Sequence, residues 1–152
     1  MSSTQADVQK VINKLRKLPL EYQNKALKKV LRKNAKPLIV KAKSNIPRAA
    51  KPVHRYKDGK IVATYSPGNL RRSIGIIPRL RRTNAVFVGP RTGGKLKSDG
   101  YYGHFLELGT AFIQGIHYME NAYKATRNTV VAGITNDVKS ILNNFSRKNG
   151  IR

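Results

Sequence analysis

The stretch "KIVATYSPGNLRRSIGII", residues 60–77, marks the point at which the sequence changes from a helical period to a strand period. Its first seven residues are rich in β-branched and aromatic side chains, which favours a strand, and the pair Pro67-Gly68 predicts a tight turn after it. A basic segment then leads into a second strand at residues 74–77, and "TNAVFVGP" (83–90) predicts a third. Short strands joined by short turns favour an antiparallel meander.

Helices are predicted on the N-terminal side of these strands. Residues 4–18 place apolar side chains at helical spacing, and Pro19 ends this helix. A second helix is predicted over residues 20–44, and Pro37 should kink or split it because proline lacks the backbone donor. The following segment, residues 45–60, contains two prolines and an Asp-Gly turn, and it predicts a basic loop.

On the C-terminal side, "YYGHFLELGT" (101–110) predicts a short helical turn or an irregular strand that ends at Gly109. Residues 117–145 predict a long helix, which Gly133 should weaken by about 1 kcal/mol relative to alanine. Its predicted buried face consists of Met119, Ala122, Tyr123, Thr126, Val130, Ile134, Val138, Ile141 and Leu142.

These elements together predict an α+β fold in which a small antiparallel β-sheet is flanked by an N-terminal helical segment and a long C-terminal helix. A chain of 152 residues is expected to form one domain over residues 1–152. Its expected parts are a basic helical segment (1–45), the sheet with its loops (60–110) and the C-terminal helix (117–145).

The charge of the chain is strongly basic. The sequence has 31 Lys and Arg against 7 Asp and Glu, a formal net charge of +24, and most of the surplus lies before residue 101. Such a surplus predicts a polyanion or an acidic protein as partner. The chain has no cysteine, no apolar run long enough to span a membrane and no signal-peptide pattern at its start, so we expect no disulfide, no membrane contact and no export by the general secretory route.

One segment resembles a nucleotide-binding loop. Gly89, Gly94 and Lys95 have the spacing GxxxxGK, but Leu96 follows where the motif requires the serine or threonine that holds magnesium. The residues beyond it have no helical period, so no helix N-terminus would face the phosphates. We interpret the segment as a basic loop, with Gly93, Gly94, Lys95 and Lys97, that becomes ordered on a neighbouring ring or on DNA.

The sequence does not favour an enzyme. The pairs His104/Glu107 and His117/Glu120 have helical spacing that could suit a metal, but no motif supplies further ligands. Paired carboxylates at strand ends and a GxSxG serine motif are both missing. We therefore expect a protein without enzymatic activity, catalytic residues, cofactor or metal.

Nucleic-acid binding without sequence readout is better supported. Five arginines lie close together in "NLRRSI" and "PRLRRTN", with tyrosines interspersed, and no zinc-finger or RNA-recognition signature is found. A nucleoid-type basic DNA-binding protein is therefore one candidate, and a solvated basic surface without a dedicated partner is another.

Two segments resemble the head-tail joining (tail completion, minor tail or neck) proteins of long-tailed bacteriophages. "SPGNLRRSIGI" matches the family pattern TG-x-L-R-x-S-I, although Pro67 stands where the family has threonine. "YYGHFLELGT" matches Y-x-x-F-x-E-x-G-T, whereas "IHYMENAY" replaces the proline-flanked phenylalanine segment that opens the last helix in the family. The matched positions are Gly68, Asn69, Leu70, Arg71, Ser73 and Ile74, and then Tyr102, Phe105, Glu107, Gly109 and Thr110.

The resemblance implies a structural virion protein at the head-tail interface, assembled in the host cytoplasm. It implies a homo-oligomeric ring, hexameric as in the family, that contacts other neck and tail proteins and surrounds packaged double-stranded DNA with a basic lumen. Arg71, Arg72 and Glu107 are the candidates for a subunit interface, within or between subunits. Candidates for the DNA lumen or a partner loop are Lys28, Lys29, Arg32, Lys33, Arg79, Arg81, Arg82, Arg91, Lys95 and Lys97.

Overall fold

The computed structural model of the chain describes residues 20–77, 85–93 and 99–148. In chain order the described elements are helices α1 (Leu20–Asn34) and α2 (Lys36–Asn45), strands β1 (Val53–Lys57) and β2 (Lys60–Tyr65), helix α3 (Asn69–Ser73), strands β3 (Ile74–Ile77) and β4 (Phe87–Pro90), and helices α4 (Gly103–Leu108) and α5 (Tyr118–Lys148). The helix predicted over residues 4–18 lies outside this part of the chain. None of the described helices combines the length and hydropathy needed to cross a membrane.

The long predicted helix around Pro37 is split, as the proline predicts. α1 ends at Asn34, Ala35 separates the two helices, and Pro37 occupies the first turn of α2, where its missing N–H has no helical partner to lose. Both helices pack against α5.

Two apolar clusters hold the helices to the strands. The larger one joins α2, α3, β3 and α5 through Ala42, Ile46, Leu70, Ile74, Tyr118 and Ala122. The smaller one joins α1 to the distal part of α5 through Val30, Val138 and Leu142. Helices therefore pack on one another and on a short strand pair, and the α+β class is confirmed.

The strand pairing differs from the predicted meander. β2 pairs with β1, and β3 pairs with β4, so the described strands form two separate two-stranded antiparallel sheets. The prediction of a loop over residues 45–60 is wrong for β1, because Asp58 and Gly59 both adopt positive φ (51° and 72°) and close a two-residue hairpin turn. Helix α3 lies between β2 and β3 in the chain, and these two strands belong to different sheets.

The C-terminal helix is confirmed, and it runs three residues beyond the predicted end. Its buried face includes the predicted Ala122, Val138 and Leu142. The prediction that Tyr123 is buried is wrong, because this residue is 54% exposed. The neighbouring Tyr118 is buried instead; its hydroxyl donates to the Gly103 carbonyl oxygen at 3.3 Å, and burial raises its pKa to about 12.

Gly133 allows α1 to approach α5 closely. A Cβ at this position would overlap the side-chain oxygen of Asn34. Asn34 in turn donates to Asp137 Oδ2 at 2.7 Å and to the Val30 carbonyl at 3.0 Å, while Lys33 Nζ contacts Asp137 Oδ1 at 2.7 Å. The glycine that weakens the helix in isolation therefore serves the contact between helices.

Candidate functional site

The "SPGNLRRSI" segment forms α3 and anchors the following loop. Buried Asn69 uses both ends of its amide: Nδ2 donates to the Asp99 carbonyl, and Oδ1 accepts the Asp99 N–H at 3.1 Å. Ser73, also buried, donates to the Leu70 carbonyl at 2.8 Å, and Gly100 approaches it so closely that a Cβ there would overlap the serine hydroxyl. The polar positions of this motif therefore hold α3 against residues 99–103.

The arginines around α3 bind main-chain carbonyls. Arg71 Nε donates to the Lys43 carbonyl at 2.8 Å, and Arg72 Nη1 donates to the Pro67 carbonyl at 3.0 Å. Arg91 donates from Nε to the Ser73 carbonyl at 3.0 Å and from Nη2 to the Arg72 carbonyl at 3.2 Å. Arg91 thus satisfies carbonyls at the end of α3, and its contact with DNA stays a prediction.

A set of four cations surrounds an open cavity beside α3. The cavity has a volume of about 410 Å³. We call this set the basic cradle; its members are Lys43, Arg48, Arg71 and Arg72, and Gly68 completes the lining.

Glu107 caps the long helix. Its Oε2 accepts the Met119 N–H at 2.8 Å and its Oε1 accepts the Glu120 N–H at 3.0 Å, so the carboxylate satisfies two donors in the first turn of α5. Within the described part of the subunit, Glu107 forms no salt bridge with Arg71 or Arg72. A pairing of these residues between subunits stays a prediction.

The segment that begins at the last residue of α4 forms a constrained loop, residues 108–115, that presents apolar side chains to solvent. Thr110 Oγ1 accepts the N–H groups of Phe112 and Ile113 at 3.2 and 3.1 Å, and the Thr110 N–H donates to the Ile113 carbonyl at 2.8 Å. Gly109 (φ 84°) packs against the Gly115 backbone, where any Cβ would be 2.7 Å from a main-chain atom. Phe112 is 97% exposed and Leu108 is 75% exposed.

The β1–β2 hairpin also exposes apolar residues. Its inner face contacts the body of the protein through the Arg55 guanidinium, which lies 4.5 Å from the centroid of the Tyr101 ring. Its outer face carries the cross-strand pair of Tyr56 and Ile61, which are 62% and 55% exposed. Val62 is the extra residue of a β-bulge beside this pair and is also exposed.

An apolar groove lies between the base of the hairpin and α4. Its volume is about 400 Å³. Tyr65 lies in its wall with ring centroids 5.7 Å from Tyr101 and 5.4 Å from Tyr102, and desolvation raises the pKa of the Tyr65 hydroxyl. Leu70 and Phe105 belong to its apolar lining, as do Val53 of β1 and Ile113 of the loop 108–115.

The remaining basic candidates are distributed over α1 and the undescribed segments. Lys29 and Arg32 are exposed on α1, and Lys33 forms the ion pair with Asp137 already described. Lys28 lies on the same helix and is partly buried. Arg79, Arg81, Arg82, Lys95 and Lys97 lie outside the described residues, as does the Gly94-Lys95 part of the nucleotide-loop-like segment.

In the first His-x-x-Glu pair each residue bonds to another group, whereas in the second the histidine lies beside its own glutamate. His104 Nδ1 lies 2.8 Å from the Tyr101 carbonyl, and the partners of Glu107 are the α5 N–H groups. His117 Nδ1 lies 3.4 Å from Glu120, whose carboxylate also contacts Lys124 at 2.6 Å. Within residues 20–77, 85–93 and 99–148, no three histidines or acids come together in a group that could hold a metal ion.

Comparison with known proteins agrees with the sequence resemblance. The sequence profile of the HK97-gp10-like family, described as "Bacteriophage HK97-gp10, putative tail-component", matches residues 9–109. No curated protein and no solved structure matches the chain significantly. The matched region spans α1 to α4 and so contains the α3 segment, the hairpin and Glu107. The chain therefore belongs to the HK97-gp10-like family of bacteriophage tail components.

Proposed function

We propose that the protein is a head-tail joining (tail completion) component of the phage neck, and that its copies form a ring through which the DNA passes. The observation that carries the proposal is the apolar surface exposed outside the core on two projections, the β1–β2 hairpin and the loop 108–115. Exposed apolar surface of this kind is typical of contact with another protein. Membership in a family of tail components supports the same interpretation.

The hairpin is poorly stabilised by the subunit alone. Two-stranded hairpins are marginal in water, and every residue of β1 is exposed. Burial of Tyr56 and Ile61 against a neighbouring protein would remove their apolar surface from water, at roughly 25 cal/mol for each Å². The hairpin therefore suits a role as an arm that becomes buried on assembly.

The loop 108–115 is suited to the same role. Its threonine-centred hydrogen bonds and its two close-packed glycines fix Phe112 in an exposed position before any partner arrives. A group held in its bound conformation loses less entropy on binding. In a ring each subunit uses two different surfaces. The two projections, with the apolar groove that lies between their bases, would form one of these surfaces, and the part of the neighbouring subunit that receives them would form the other.

The charge of the chain fits a channel for DNA. A net charge of +24 attracts phosphates regardless of base sequence, and this attraction weakens as salt rises. A joining protein that DNA passes through needs no sequence readout and no catalytic group.

The proposal is tested by joining heads and tails in vitro. Extracts of cells infected with a phage that lacks this gene should contain separate heads and tails, and purified wild-type protein should convert them into infectious particles. The variant Phe112→Ser should reduce the yield at least about tenfold, since buried interface aromatics often contribute 2 kcal/mol or more. The matched control Tyr123→Ser replaces another exposed aromatic residue, on α5, and should join at the wild-type level.

Failure of the wild-type protein to join heads to tails would overturn the proposal. Equal yields from the two variants would reject Phe112 as part of the assembly surface. A wild-type protein that leaves particles unjoined but coats duplex DNA stoichiometrically would instead support the nucleoid-type alternative.

A further inference from the structure

The basic cradle concentrates positive charge without a counter-charge. Lys43, Arg48, Arg71 and Arg72 line one cavity of about 410 Å³. The salt bridges of the described residues are Lys33 with Asp137, and His117 and Lys124 with Glu120, so no described acid neutralises the cradle. Clustered like charges raise the free energy of the subunit, and an anion in the cavity would relieve this repulsion.

The cradle is also organised before any ligand binds. Hydrogen bonds to the carbonyls of Lys43 and Pro67 fix the Arg71 and Arg72 side chains. A Cβ on Gly68 would lie 3.3 Å from Arg72 Nη1 and 3.9 Å from Arg48 Nε, so both guanidinium groups lie beside this glycine. Each guanidinium has five N–H donors, and the bonds to carbonyls use only part of that set.

The chain itself has few carboxylates that could neutralise the basic cradle. It has seven acidic residues, and three of them are already engaged: Glu107 at the start of α5, Glu120 with Lys124, and Asp137 with Lys33 and Asn34. Asp99 accepts the Tyr101 N–H at 3.1 Å. A second copy of this protein therefore offers few free carboxylates to the cradle.

We propose that the basic cradle binds phosphate groups of the duplex DNA backbone. Guanidinium groups match the geometry of phosphate oxygens and can bind them through two parallel hydrogen bonds. The proposal rests on the proposed function for its ligand, since a neck ring surrounds packaged double-stranded DNA. It assigns Arg71 and Arg72 to DNA contact and leaves Glu107 to the N-terminus of α5.

The test measures the affinity of the full-length protein for a fluorescent duplex of random sequence at several salt concentrations. The variant pair Arg48→Gln/Arg72→Gln should weaken binding by about tenfold for each lost charged contact. It should also reduce the slope of log Kd against log salt by roughly 1.8, the value for two lost phosphate contacts. The single variant Arg48→Gln removes no main-chain hydrogen bond seen here, so it preserves the fold and should reduce the slope by roughly half as much.

The matched control is Arg127→Gln/Arg147→Gln, which removes the same charge from two exposed arginines of α5. Equal effects of the two pairs, or no effect of the cradle pair, would overturn the proposal, because charge would then act only through the net field. Normal DNA affinity combined with lost assembly in the cradle pair would also overturn it and indicate a carboxylate from a partner protein.

This result is separable from the joining test. A wild-type protein that joins heads to tails while the cradle pair binds DNA normally would leave the proposed function intact and reject the cradle. If instead the wild-type protein does not join heads to tails but the cradle variants weaken its DNA binding, the proposed function is rejected and the cradle is supported.

Discussion

At the scale of single residues, Glu107 connects two parts of the molecule that are separated in sequence. Its carboxylate accepts two N–H groups in the first turn of α5, and the helix dipole favours a negative charge at that position. α4 carries Glu107, and α5 provides part of the main core through Tyr118 and Ala122. One side chain therefore links the exposed loop 108–115 to the core.

Replacement of Glu107 by alanine should destabilise the protein by about 1–2 kcal/mol, since two first-turn N–H groups lose a charged acceptor. The measurement is the midpoint of unfolding in urea, with the slope of the unfolding free energy against urea concentration unchanged by the substitution. Glu120→Ala is the control; that carboxylate bonds only to the surface Lys124 and His117, and its removal should have a much smaller effect. Equal effects of the two substitutions would contradict the capping role.

The sequence did not identify this role of Glu107. A capping residue is recognised from sequence when it lies at the start of its own helix, whereas Glu107 lies eleven residues before Tyr118. The resemblance to the phage family pointed to Glu107 but not to the N–H groups of α5 that it binds. Asn69 and Ser73, which also match the family pattern, are buried and hold the α3 segment in place.

At the scale of elements, local signals predicted boundaries better than pairing. Pro37 acts within one turn, so the split between α1 and α2 could be predicted from sequence. The partner of each strand depends on contacts that local composition does not encode. β1 was therefore missed even though Asp58-Gly59 is a hairpin turn, and β2 and β3 were wrongly joined in one sheet. The Phe112 surface could not be predicted either, because its exposure depends on the folded loop.

The contact between α1 and α5 should be sensitive to Gly133. Gly133→Ala would normally favour a helix, but here the added Cβ overlaps Asn34, so we expect a net destabilisation of about 1–3 kcal/mol. In an Asn34→Ala background the overlap is gone, and the same substitution should stabilise the protein by up to about 1 kcal/mol. Denaturant unfolding of the four proteins in this double-mutant cycle checks the sign change. Equal effects in both backgrounds would rule out the proposed overlap.

The stability that the α1–α5 contact provides should depend on pH. Hydrogen bonds from Lys33 and then Asn34 lower the pKa of Asp137 below its ordinary value of 3.8. The carboxyl of the unfolded chain then protonates first, so the stability it provides is present above about pH 4 and is lost as pH falls through the folded-state pKa. Denaturant midpoints should fall more steeply below about pH 4 for the wild type than for Asp137→Asn. The same pH dependence of the midpoint in both proteins would show that the interactions of Asp137 do not contribute to stability.

At the scale of the whole molecule, two opposing features bear on the proposed ring. The exposed apolar projections favour association, whereas a net charge of +24 on each copy opposes it. Salt screens the repulsion and leaves apolar burial largely unchanged, so ring formation should increase with ionic strength. DNA binding should respond in the opposite direction, since phosphate contacts weaken with salt.

The proposed ring of this tail component is tested by measuring the mass of the protein in solution by light scattering at low and high salt, with and without duplex DNA. We expect one discrete species with a mass that is a multiple of 17.0 kDa, that is favoured by salt and that forms without DNA. A protein that stays a monomer or dimer at every salt concentration and coats duplex DNA stoichiometrically would contradict the proposed ring.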